Sequence, residues 1–215
     1  MKLRQFLVAT AAVLGLAAPA HATIGFADVV LGYFSSGAGP IAGPYGGLTG
    51  ATGAFPISVS TSVVLGSDVA GSETFLSLPT GSFVTVGFTD ETVIDGIGND
   101  IFIQEIGGNG ERANVFISSD MINFIFLGVA TDNITTAFDL ASIGFTGAVT
   151  AVRIVGLDAL GGSPGFDVVN VQVLPGSIGS PVPEPATWAM MIVGFASVGL
   201  ALRRRPRVRD IRQVA

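Results

Sequence analysis

The chain has 215 residues, of which 30 are glycine, one is histidine and none is cysteine, and its formal net charge is -6 at pH 7. That length suits one sizeable core, and the missing cysteine excludes a disulfide framework and thiol chemistry. An acidic chain with little lysine or arginine away from its ends is also no partner for nucleic acid, because binding phosphates rests on cationic side chains.

The N-terminus reads as a secretory signal peptide over residues 1–22. Lys2 and Arg4 form a basic start, Phe6 to Leu16 an apolar run, and Ala20-His21-Ala22 a small-x-small cleavage site. Cleavage is expected after Ala22. Thr23 follows the site where a lipoprotein would have cysteine.

Removing both ends changes the balance. Of the sixteen acidic residues, only Glu184 and Asp210 lie outside 23–182, which leaves fourteen carboxylates facing Arg112 and Arg153 as the only basic residues. The segment has neither histidine nor cysteine once His21 is gone, so a histidine general base, a Cys-His pair and nitrogen- or sulfur-ligated zinc are excluded. What chemistry remains is carboxylate, hydroxyl and amide. Cations are the natural partners of such a surface.

Taken in order, the exported segment predicts an all-β fold. Residues 35–54 (SSGAGPIAGPYGGLTGATGA) predict a long surface loop. Strands are expected near Val29–Phe34, Ser58–Leu65, Glu73–Leu78, Ser82–Phe88, Ile101–Glu105, Arg112–Ser118, Phe124–Ala130, Thr135–Leu140, Ala148–Val155 and Phe166–Leu174. Ala141–Gly144 suits one turn of helix. Short strands at this spacing, with no long segment of helical period, predict an antiparallel sandwich or barrel over residues 23–175.

Strand alternation singles out particular acids. In Phe166–Leu174 the row Val169, Val171, Val173 is expected to face the core, which puts Asp167 at its end. Ile101 and Ile103 share a face with Glu105 in the same way. The glycine-broken loop Asp90–Asp100 adds Asp95 and Asp100, and hard cations such as Ca²⁺ take six to eight oxygens from loops of this kind. The spacing is not that of an EF-hand. Asp95, Asp100, Glu105 and Asp167 are therefore a candidate calcium site at one end of the sandwich. Equally open is the plainer account, in which aspartate and asparagine make turns and backbone amides satisfy each carboxylate. Tyr33, Tyr45 and Phe55 border the long loop and either pack it down or stack on sugar rings.

The segments GFTDETVIDGIGNDIFIQEIGG, ANVFISSDMINFIFLGVAT and AFDLASIGFTGAVTAVRIVGLDALGGSPGFDVVNVQVL resemble a β-sandwich domain of bacterial surface proteins. Asp95, Gly96, Gly98, Asp100, Glu105, Ser119, Asp120 and Gly165-Phe166-Asp167 match its pattern. Met121 departs from it, standing where the hairpin usually has glycine. The resemblance implies a jelly-roll or galactose-binding-like β-sandwich and no particular activity.

The tail is the most specific stretch. Pro183-Glu184-Pro185 closes a linker over 176–185, an uncharged apolar run over 186–202 contains Trp188, and Arg203, Arg204 and Arg205 open a basic tail over 203–215. Seventeen helical residues span roughly 25 Å, slightly short of the roughly 30 Å hydrocarbon core. Trp188 suits the interface, and the arginines should stay cytoplasmic. This order resembles the PEP-CTERM sorting signal of Gram-negative bacteria. The resemblance implies an exosortase-type membrane protease as partner, transient residence in the inner membrane, and final placement on the cell surface or in the extracellular exopolysaccharide matrix.

Together these observations predict an exported, non-enzymatic structural protein with a transmembrane sorting helix. The alternative is a carbohydrate-binding module for exopolysaccharide. The two differ in whether a face of the sandwich carries exposed aromatics with polar neighbours.

Overall fold

Valine, isoleucine, phenylalanine and threonine dominate the short runs between glycines, and these runs become the strands of a computed structural model that describes residues 24–48, 55–68, 73–132, 135–179 and 191–199. In chain order the strands are β1 Gly25–Phe26, β2 Val29–Phe34, β3 Tyr45–Leu48, β4 Ile57–Ser58, β5 Thr74–Leu78, β6 Phe83–Gly87, β7 Thr92–Val93, β8 Ile101–Glu105, β9 Arg112–Ser118, β10 Ile125–Thr131, β11 Thr135–Phe138, β12 Ala151–Gly156, β13 Phe166–Val173 and β14 Ile178–Gly179. One sheet runs β11-β8-β13-β5-β3-β4, with β1 also paired to β13; the other runs β10-β9-β12-β6-β2. β7 and β14 form a separate two-stranded ladder. Every one of these pairings is antiparallel.

One apolar cluster joins the two larger sheets. Leu76, Leu78, Ile101, Ile103, Val171 and Val173 of the first meet Val84, Val86, Val115, Ile117, Val152 and Ile154 of the second, all fully buried. Two antiparallel sheets sharing one core make a β-sandwich, as the strand pattern predicts. With no cysteine, this packing carries the stability that disulfides give many exported domains.

The structure departs from expectation at two segments. Residues 45–48 lie inside the expected surface loop, yet they form β3, with Tyr45, Gly46 and Gly47 buried. The glycines are there for close approach, since a Cβ on Gly46 would stand 1.9 Å from the Phe75 carbonyl oxygen. The expected strand Ser58–Leu65 is instead a short β4 followed by a 3-10 turn, Thr61–Val64. Ser60 caps that turn by accepting from the Ser62 amide at 3.2 Å, the local side-chain bond by which serine competes with strand pairing. The helical turn expected at Ala141–Gly144 is present as Leu140–Ile143, capped by Asp139.

A β-bulge in β13 also changes the parity expected there. Its register with β8 shifts between Val168 and Asn170, so Phe166 and Val168 join the core before the bulge and Val171 and Val173 after it. Asp167 therefore lies on the opposite face from its core neighbours, and the expected core-facing row starting at Asp167 is broken. It is nonetheless buried, at 7% exposure.

At the C-terminal end, residues 191–199 are helical and exposed. Among the described residues no helix is long and apolar enough to cross a membrane, and the rest of the expected 186–202 span lies outside them. The signal peptide with Ala20 and Ala22, and Pro183, Glu184, Pro185, Trp188 and Arg203–Arg205, also lie outside the described residues.

The β9–β10 hairpin contains Met121 at φ 60°, the one non-glycine residue with positive φ among those described. Asp120 holds the loop by accepting from the amides of Ile122 and Asn123 at 2.9 and 2.7 Å. A left-handed conformation costs a side chain of methionine's kind about 1 kcal/mol or more. Met121→Gly is expected to raise stability by about 1 kcal/mol, or roughly 2–4 °C in melting midpoint. A midpoint that fell would show that the methionine side chain, 56% exposed, contributes more than its backbone costs.

Candidate functional site

Asp100 immediately precedes the five-residue β8 and Glu105 ends it, so at about 3.3 Å per residue the strand holds the two carboxylates at its opposite ends. The four acids expected to share one site are consequently divided into two groups. Asp95 and Asp100 gather with Asp139; Glu105 and Asp167 gather with Glu111. Within each group a carboxylate oxygen from every member lies within 4.8 Å of the others.

In the first group hydrogen bonds already engage Asp100 and Asp139, while Asp95 Oδ1 is buried with no hydrogen-bond partner. Asp100, fully buried, accepts at Oδ1 from the Gly96 amide at 2.8 Å and the Ser177 hydroxyl at 2.6 Å, and at Oδ2 from the Leu140 amide at 2.7 Å. Three segments that are distant in sequence are thus tied to one carboxylate. Asp139 caps the 3-10 turn through the Ala141 amide at 2.8 Å. For Asp100 and Asp139 this is the plainer account, realised donor by donor.

The second group is different. Glu111 is fully buried, Glu105 is 5% exposed and Asp167 is 7% exposed. Ser77 donates its hydroxyl to Asp167 Oδ1 and exchanges a hydrogen bond with Ser163 at 2.7 Å. Glu111 Oε1 accepts from the Gly165 amide at 3.0 Å, while its Oε2 is buried with no hydrogen-bond partner. Burial pushes the Asp167 carboxyl up to about 9, against the lowering by Ser77, and Glu111, Glu105 and Asp132 push it the same way as burial. Burial likewise raises Glu111 to about 7, with Asp132 and Asp158 adding to it. Glu111 was not expected from the sequence, although it extends the buried row Ala113, Val115, Ile117 as Glu105 extends Ile101 and Ile103. Asp139 and Asp132 carried no comparable signal, because single aspartates after strands are ordinary turn residues.

A third pair of acids lines a cleft with Ile24, Asp28, Ile178 and Gly179. Burial chiefly, with the hydrogen bond and charge of Asp90 and the charge of Asp28 adding to it, raises Glu91 to about 7. The same hydrogen bond lowers Asp90.

The aromatics sort into buried and exposed sets. Tyr45 is fully buried and donates its hydroxyl to the Pro164 carbonyl. Tyr33 bonds the Gly43 carbonyl at 3.3 Å. Both pack the long loop down, while Phe55, 39% exposed, meets the Phe75 ring at 6.0 Å. On the outer face of the second sheet, Phe34 stacks on Phe83 and Phe116 meets Phe126 edge-on, each pair at 5.5 Å. Arg153 lies among them, 3.7 Å over Phe124 and 4.5 Å over Phe83, and donates to the Thr85 hydroxyl at 2.9 Å.

Residues 181–205 match the PEP-CTERM protein-sorting motif. The chain carries a PEP-CTERM sorting signal. Such a signal marks a bacterial protein for export and for processing at the membrane by an exosortase. No curated protein matches the chain. Among solved structures it resembles a glycoside hydrolase family 43 arabinoxylan arabinofuranohydrolase from Bacillus subtilis, in complex with cellotetraose, at 14% identity and a TM-score of 0.34. That similarity covers 51% of this chain and 23% of the hydrolase, so the chain spans about a quarter of that enzyme's length. At that TM-score the likeness defines neither fold nor activity.

Two outcomes follow for these acids. Asp100→Asn turns one acceptor into a donor facing donors and should cost about 2–3 kcal/mol, lowering the melting midpoint by roughly 4–12 °C; an unchanged midpoint would remove Asp100 from its organising role. Glu91 has a folded-state pKa above its unfolded one, so its stabilisation is full below about pH 4.5 and is lost as pH rises through about 7. In chelator, the melting midpoint should fall between pH 5 and pH 8, and Glu91→Gln should shrink that fall. An identical pH profile for the variant would contradict the raised proton affinity of Glu91.

Proposed function

We propose that this is an exported, non-catalytic protein of the cell surface or exopolysaccharide matrix of a Gram-negative bacterium, released from a transient inner-membrane stage by an exosortase. The observation that carries the reading is the sorting-motif match at residues 181–205. The apolar run 186–202 serves as the membrane span, with Arg203–Arg205 inside. The exported part serves as a scaffold of jelly-roll or galactose-binding-like kind. Support for that comes from the strand orders β5-β13-β8-β11 and β6-β12-β9-β10, which are those of eight strands wound as two Greek keys.

A non-catalytic role is favoured by the carboxyl pair most suggestive of chemistry. Glu91 and Asp90 have opposed proton affinities, as an acid and a nucleophile of a glycosidase would. They hydrogen-bond each other, however, whereas glycosidase carboxyls stand about 5 Å or more apart to hold a sugar between them.

The second reading, a carbohydrate-binding module, draws on the outer face of the second sheet. Phe34 and Phe126 are 50% and 49% exposed there, with Arg153 and Thr85 as polar neighbours. Aromatic faces stack on the apolar faces of sugar rings, and flanking polar groups fix their orientation.

Mass spectrometry of the protein recovered from the cell surface or medium should find no peptides beyond the Pro-Glu-Pro region. An intact C-terminus on the surface form would leave only a plain membrane anchor. On a glycan array the released protein should stay dark if the scaffold reading holds. Binding that Phe34→Ala and Phe126→Ala abolish would establish the second reading in its place.

A further inference from the structure

The group formed by Glu105, Glu111 and Asp167 is the one place among the described residues where three buried acids converge. β8 ends in Glu105, β9 is entered through Glu111, and β13 begins beside Asp167, so three strands of the two sheets bring one carboxylate each to the same point. A fourth acid lies at the edge. Asp132 Oδ2 accepts from the Gly110 amide at 2.5 Å, and its Oδ1 is buried with no hydrogen-bond partner. Gly107 separates it from Glu105, since a Cβ there would stand 2.6 Å from Glu105 Oε1 and 3.0 Å from Asp132 Oδ1.

Among the described residues neither arginine is placed to neutralise Glu111. Arg112 pairs with Asp158 at 3.4 Å and is largely exposed, and Arg153 is held on the aromatic face of the second sheet. Lysine is absent from residues 23–182. Independent of the clustering, the fully buried Glu111 has an Oε2 that meets no donor, an arrangement that costs free energy when the group is ionised unless a cation meets it. The donors are all oxygen, and oxygens spread within 4.8 Å of one another can surround an ion at the 2.3–2.6 Å of calcium coordination.

We propose that Glu105, Glu111 and Asp167, with Asp132 at their edge, bind one Ca²⁺ that pins the ends of β8, β9 and β13 together. The ion replaces the shared four-acid site expected from sequence with a different set. Glu105 and Asp167 remain in it, Glu111 and Asp132 join, and Asp95 and Asp100 belong elsewhere. The inference stands whether or not the surface-scaffold reading does, because it concerns the fold's own acids.

The full chain in detergent, at pH 7.5, should melt about 5–10 °C higher with calcium at a hundredfold over its dissociation constant than with chelator. Calorimetric titration should count one bound ion. Glu111→Gln removes a buried charge, so in chelator it should melt at or above the wild-type midpoint, and calcium should no longer raise it. If that variant fails to fold, Asp167→Asn provides the same comparison. Asp95→Asn should respond to calcium as the wild type does. The site is overturned if calcium neither binds nor shifts the wild-type midpoint, if Glu111→Gln and Asp167→Asn keep the full response, or if Asp95→Asn abolishes it. A response to magnesium alone would overturn the choice of ion.

Discussion

Fourteen carboxylates and two arginines share residues 23–182, so ion pairing cannot settle the acids that the fold buries. Everything else about the sandwich is arranged around that shortage. Asp100 is settled by donors, drawing amides from two loops and one hydroxyl onto a single carboxylate. Asp90 and Glu91 lie side by side, with Glu91 raised by burial and by Asp90. Glu111 has an amide on one oxygen and nothing on the other. Its site also holds Glu105 and Asp167, and a dication is the partner that satisfies several such oxygens at once.

The sandwich itself was legible because its signals are local. Period-2 runs broken by glycine and aspartate coincide with nearly all the longer strands, whereas the segment Asp90–Asp100, which reads as a loop, contains the short strand β7. The errors fall where long-range packing overrides composition. Gly46 and Gly47 look like loop residues, but they lie under Phe75 and Phe55, and no local pattern encodes that approach. The bulge in β13 is equally silent, because one inserted residue reverses every side chain before it without altering the run of valines.

The candidate site was half legible for the same reason. Alternation can say that Glu105 and Glu111 end apolar rows, but it cannot say that two rows from different sheets end at the same place. That depends on the crossing from β8 to β9, which is a property of topology. Asp95 and Asp100 were grouped with Glu105 because they are close in sequence. A strand between them carries that closeness to the far end of the sandwich.

The sorting tail adds a geometric constraint on the folded part. β14 pairs with β7 as far as Gly179, and Pro183 is only four residues further on. At a maximum of about 3.6 Å per residue, the edge of the sandwich cannot stand more than roughly 14 Å from the motif. The protease therefore meets its motif beside a folded end built from β14, β7 and the Asp90–Glu91 cleft. The β7–β14 ladder at that end is only two residues long, as are β1–β13 and β3–β4. It is reinforced from both sides: Val93 is buried in the core, and Ser177, just before β14, donates to the Asp100 carboxylate and accepts from the Ile94 amide. The segment leading to the motif is therefore anchored through Asp100, while the acids at the opposite end of β8, where the cation is proposed, lie away from it.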